Sequence, residues 1–252
     1  MKNFIIFLAI ILTTSICNAQ TFNIKEADFY IDLGDGDWLM QTEAKENLSK
    51  GVIQQYYFTD NISARGIAIS IAKNDMSINI KDLSKININK QFLDGVENGL
   101  INEAPGNNTT LNKESKKINT MNGVIIEFIN TNNPNFNTPI YFRDFVTIKN
   151  GKIIHFLFMY FSEQSLNSNK QKDLDTLKTV AFSKDSINEI NTDNNKVNQK
   201  NNTNINNENG PETNGFYNAG QIIGKSIAYG ILFVVVGGIW ALIKRVFRRK
   251  ND

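Results

Sequence analysis

Histidine and cysteine each occur once in these 252 residues, as His155 and Cys17. The chain also has no CxxC or HExxH pair, no GxSxG serine and no glycine-rich phosphate loop. It therefore lacks the local signatures of thiol redox, zinc protease, serine hydrolase and P-loop chemistry. A carboxylate pair assembled by the fold stays open. Positive charge is scarce as well: from Gln20 to Gln221 there are 20 Lys and Arg against 24 Asp and Glu, a net charge of −4. A mildly acidic body lacks the basic footprint of a nucleic-acid binder. No cofactor and no metal is expected.

What is present is a set of apolar runs with informative flanks. "MKNFIIFLAIILTTSICNAQ" places Lys2 before a nine-residue apolar core, Phe4 to Leu12, and small residues before Gln20. It reads as a secretory signal over residues 1–19, cut after Ala19, and the cut removes the only thiol with it. A lipoprotein signal would want a small residue before Cys17, where Ile16 stands. At the other end, residues 222–243 hold one charge, Lys225, in "IIGKSIAYGILFVVVGGIWALI". Twenty-two helical residues cover about 33 Å, enough for a hydrocarbon core of about 30 Å. The cluster Lys244, Arg245, Arg248, Arg249 and Lys250 follows at once, so residues 244–252 are expected in the cytoplasm and the rest outside. Ser226, Tyr229 and Trp240 complete the expected membrane anchor, with lipid as its partner. Gly220, Gly224 and Ala228 recur every four residues, spacing that lets helices approach closely, so a homodimer through this helix is one expectation.

Half of the residues in "NTDNNKVNQKNNTNINNENG", 191–210, are asparagine. With only isolated apolar residues, 183–215 cannot offset its ordering entropy by burial and reads as a disordered tether. The folded part is then 20–182. Alternation marks strands in "FYIDL", "GVIQQYYF", "GIAISIA", "MNGVIIEFIN", "IYFRDFVTIK" and "KIIHFLFMYF". Asn150–Gly151 between the last two is a type I′ hairpin signal. Phe92, Leu93, Val96 and Leu100 recur at helical spacing behind the cap Asn89, and Leu174, Leu177 and Ala181 mark a second helix. Strands in blocks with few helices give an α+β class: an antiparallel sheet with helices packed on its faces, plus one C-terminal transmembrane helix.

Three side-chain groups invite chemistry. His155 shares its strand face with Ile153, Leu157 and Met159 and reads as a satisfied or edge-exposed strand histidine. "DLGDGDW" fails as an EF-hand, because with Asp35 first the sixth position is Met40, so it reads as a turn that returns Trp38 to the core. Arg143 and Asp144 point to opposite faces of one strand, and Glu127 is placed to pair with Arg143 across strands.

The order of elements, the hairpin "YFRDFVTIKNGKIIHFLFMY" and the closing "LDTLKTVAF" resemble the PsbP-like family of α/β/α sandwich domains. The resemblance implies a domain used mostly as a non-catalytic binding or assembly module on exported or membrane-associated proteins, and it carries over no functional residue. The expectation is a single-pass protein of the bacterial inner membrane, with its N-terminal domain in the periplasm facing an envelope protein partner. A carrier of a small apolar ligand or lipid, and a hydrolase with a carboxylate site, are the alternatives.

Overall fold

The computed structural model describes residues 20–48, 51–60, 65–74, 80–132, 138–183 and 215–228. The expected signal, residues 1–19, all of the expected tether 183–215 except its two end residues, and the whole of 229–252 lie outside the described residues. Tyr229, Trp240, Lys244, Arg245, Arg248 and Arg249 fall there too.

A seven-stranded antiparallel sheet is the centre of the structure. In spatial order it runs β3 (Trp38–Thr42), β4 (Val52–Asp60), β5 (Gly66–Lys73), β9 (Lys152–Tyr160), β8 (Ile140–Lys149), β7 (Met121–Thr131) and β6 (Asn107–Ile118). β8 and β9 are covered on both faces, and apolar residues therefore dominate them without a polar side. Their turn has φ of 52° at Asn150 and 71° at Gly151, the left-handed pair the Asn-Gly signal requires.

One face carries α1 (Lys90–Glu103), capped by Asn89, whose Oδ1 accepts from Phe92 N at 3.0 Å. The opposite face carries α2 (Glu163–Ser168), α3 (Lys170–Lys178) and a small sheet in the order β1 (Thr21–Ile24), β2 (Phe29–Asp32), β10 (Ala181–Phe182). Phe29, Ile31, Leu177 and Phe182 fill that second layer against Phe145, Phe156 and Phe158. The expected α+β class holds.

Several elements differ from the sequence expectation, which included neither β1, β3 and β6 nor α2. β3 and β6 are edge strands whose solvent side weakens their alternation; β6 is held from outside by Lys113, which donates to Asp94 at 2.6 Å and to Glu97 on α1. The last helix stops at Lys178 rather than running to Phe182. Ala181 and Phe182 instead pair with Tyr30 and Phe29, because the β2 edge offers backbone bonds that a further helical turn cannot use.

The largest difference concerns residues 215–228, divided by the sequence between the end of the tether and the start of the span. They form a helix, α4, seated beside α1 on the sheet. Ala219, Ile223, Ile227 and Ala228 are each 2% exposed or less and belong to the same core as Phe92, Val96, Leu100 and Leu157. The apolar stripe of α4 finds the sheet as a solvent for its side chains before any membrane is reached. Among the described residues no helix is long and apolar enough to cross a membrane.

Gly220 lies against Gly95, and Gly224 against Gly99, so α1 and α4 run parallel. A Cβ on Gly224 would stand 2.8 Å from Gly99 Cα and collide with the Val96 carbonyl oxygen. A Cβ on Gly99 would strike the carbonyl of Gln221. These neighbours are backbone and cannot rotate away. Gly99→Val should therefore destabilise the domain by about 1–3 kcal/mol or expel α4, the usual range for overpacking. Urea unfolding checks the first outcome, and limited proteolysis at α4 the second.

Candidate functional site

β8 places Arg143 and Asp144 side by side, and the pleat sends them to opposite faces. Each is 1% exposed, so each must meet its polar needs inside the protein. They do so in two separate clusters.

On the helix face, Asp144 Oδ2 lies 3.0 Å from His155 Nδ1, and His155 Nε2 lies 2.8 Å from Ser226 Oγ. Asp144 and His155 are diagonal neighbours, since Asp144 pairs with Leu157 and His155 with Val146. Ser226 comes from α4, 71 positions from His155. The order of groups is that of an acyl-transfer triad. Its surroundings differ from those of such an enzyme. Ser226 Oγ also donates to Ile223 O at 2.7 Å, and it stands inside a helix whose backbone N–H groups serve the helix itself. The cavity beside the triad, lined by Gln55, Ser70, Asp144, His155, Leu157 and Ile227 among others, has a volume of about 10 Å³. That is about the space of one water and excludes an acyl substrate. A water there would meet Asp144 Oδ1, which is buried without a partner.

The hydroxyl of Ser226 has one proton for two acceptors. Given to Ile223 O, it leaves Oγ to accept from Nε2–H, and the His155–Asp144 contact then holds a proton of its own. Given to Nε2, it leaves Nδ1–H to donate to the Asp144 carboxylate and releases Ile223 O. In both arrangements the three residues tie α4 to the middle of the sheet.

On the other face, Arg143 is the hub of a buried charge cluster. Its Nε donates to Glu127 Oε1 at 2.7 Å, its Nη1 to Asp173 Oδ2 at 2.5 Å and its Nη2 to Leu166 O at 2.8 Å. Arg65 Nη2 reaches Asp173 Oδ1 at 2.7 Å, and Tyr160 donates to Asp173 Oδ2 at 2.5 Å. Two cations and two anions make the cluster neutral. Arg65 is sandwiched between the rings of Trp38 and Phe158, at 5.7 and 5.5 Å. Burial works against the charge on Arg143, but Glu127 and Asp173 outweigh it and push its pKa up. For Tyr160 burial, then the charge of Asp173, raises the pKa far above the usual phenol range. This cluster staples α2 and α3 to the sheet, and within it Arg65 Nε and Nη1 are buried without a hydrogen-bond partner.

Of the residues singled out from sequence, Glu127 and Arg143 do pair, Trp38 is buried, and His155 is satisfied inside a central strand. Gly220 and Gly224 sit in a helix pair within the chain, Ala228 lies in the core, and Ser226 is bonded to His155. Among the described residues no group of three or more metal-ligating side chains occurs. The Ser226 partnership carried no local signal, although the spacing of Gly95 and Gly99 on α1 matches that of Gly220 and Gly224 and could have paired the helices.

No protein-family description matches the chain, and no curated protein does. Solved structures are similar at low levels. The solution structure of cyanobacterial PsbP from Synechocystis sp. PCC 6803 is 15% identical, over 68% of this chain and 95% of that one, with a TM-score of 0.45. A protein of unknown function from Pseudomonas aeruginosa is 11% identical over 64% and 94%, TM-score 0.34. A protein from Bacteroides thetaiotaomicron is 13% identical over 67% and 50%, TM-score 0.42.

Asp173→Ala would strand the Arg65 guanidinium in the core, leave Arg143 with Glu127 as its one carboxylate, and should cost about 3–5 kcal/mol in urea unfolding. The tyrosines give a pH test. Burial, then Glu43, raises the pKa of Tyr57 as well. A raised folded-state value stabilises fully below the unfolded phenol value of about 10 and is lost above it. Stability should thus fall as pH rises beyond about 10, with Tyr57 and Tyr160 ionising only on unfolding, as ultraviolet titration of phenolate would record.

Proposed function

We propose that the protein is a membrane-tethered extracytoplasmic module that binds or assembles with an envelope protein through the outside of its sheet domain. The observation that carries this reading is the seating of α4: the space between sheet and helices where a carrier or enzyme would hold its ligand is filled by Ala219, Ile223, Ile227 and Ala228. The buried polar groups on both faces bond largely to one another, which supports a scaffold role for them. The apolar run 229–243 and its basic flank support a bilayer tether directly after the docked helix.

The tether should make membrane association resistant to alkaline carbonate, and removal of 229–252 should abolish it. That truncation leaves α4 intact, whereas a cut before 222 would take away part of the core. Crosslinking in intact cells, followed by mass spectrometry, should identify one envelope protein held by the full chain and lost from the truncated one. Equal capture by both chains, or capture of none, would overturn the reading.

The Asp144–His155–Ser226 geometry favours a second reading, a serine hydrolase whose cavity widens around Ser226 while α4 stays docked. A fluorophosphonate probe decides between them. The sealed site should leave Ser226 unlabelled; stoichiometric labelling that disappears in Ser226→Ala would favour the hydrolase.

A further inference from the structure

Residues 222–228 carry two incompatible assignments. In the domain, Ile223, Ile227 and Ala228 are core residues and Ser226 is bonded to His155. In the sequence, the same residues are the first seven of a twenty-two-residue apolar stretch. With α4 docked, only the fifteen residues from 229 to 243 remain for the bilayer, a length that would cover about 22 Å if helical, against a hydrocarbon core of about 30 Å. The full stretch matches the core, but a residue cannot lie in the sheet and in lipid at once.

We propose that α4 is a displaceable plug: the groove between α1 and the sheet and the outer leaflet of the membrane compete for residues 222–228, and the bilayer's thickness sets which one holds them. The inference rests on the tether reading and adds a regulation to it. Apolar side chains such as Ile223 and Ile227 are about equally at home in a protein core and in lipid, so neither seat is dominant on hydrophobic grounds. The docked seat adds the glycine contact, the Ser226–His155 bond and the Lys225–Glu103 pair at 2.9 Å. The lipid seat adds relief of a mismatch of about 8 Å, with Lys225 close enough to the interface to snorkel. Release would uncover Val96, Leu100 and Leu157 and the Asp144–His155 pair, a groove shaped for a helix with small residues every fourth position. Its resident is α4 of the same chain.

The test uses the full chain carrying Cys17→Ser and Val96→Cys, reconstituted in vesicles of short-chain or long-chain phosphatidylcholine. Val96 lies beside α4, its carbonyl oxygen against Gly224, and is fully buried while the plug is seated. Ala68→Cys on β5, beside Ile227, is the second reporter should Val96→Cys fold poorly. Gly224→Leu, which cannot dock, gives the rate for the open groove, and the chain ending at Ala228 gives the rate for the closed one. Flotation with the vesicles, scored first, tests the tether alone. In chains that float, thiol alkylation should be at least about tenfold faster in the long-chain vesicles, a shift of about 1.4 kcal/mol in plug occupancy. Equal rates in the two bilayers, at either the open or the closed value, would overturn the competition while leaving the tether standing. Failure to float would overturn the tether and the competition with it.

Discussion

Four missing side chains hold one face of this protein together. Gly95 and Gly99 on α1 meet Gly220 and Gly224 on α4, and the backbones pack against each other because nothing stands between them. Without that approach Ile223 and Ile227 could not reach the sheet, and Ser226 could not reach His155. The contact is also long-range, since it joins glycines 125 positions apart in the chain. The last layer of the core thus comes from a segment that the chain delivers late.

The two polar clusters illustrate how adjacent residues on one strand can serve separate halves of a protein. Arg143 and Asp144 are neighbours in sequence and strangers in space. The first binds α2 and α3 through Leu166 and Asp173 and the neighbouring strand β7 through Glu127; the second binds α4 through His155. Buried charge of this kind adds little net stability over apolar packing, but it is costly to mispair, so it fixes which helix docks where. Three residues in a catalytic order can equally be a latch, and what separates the two is access: a hydroxyl shared between His155 and Ile223 O opens here on a cavity of about one water.

Much of the fold was legible from local pattern. The central strands announced themselves by apolar alternation, the β8–β9 turn by Asn150–Gly151, and α1 by its cap and its stripe of Phe92, Val96 and Leu100. Edge strands β3 and β6 were missed because half of their side chains face water, which dilutes the pattern. The end of α3 was misjudged because Ala181 and Phe182 suit a helix as well as a strand until β2 is beside them. The site was hardly legible at all: His155 read as a satisfied strand residue, which it is, but its partner Ser226 read as part of a membrane anchor.

Sequence by itself determined the class of the domain, the scarcity of catalytic residues, the asparagine-rich tract and the placement of charge around the final apolar run. These follow from composition and from periodicities of two and 3.6, which each segment carries alone. Only the tertiary structure decided that residues 215–228 belong to the domain. An apolar helical stripe states that it must be buried and leaves open in what, and here the choice turned on glycines 125 positions apart reaching contact distance.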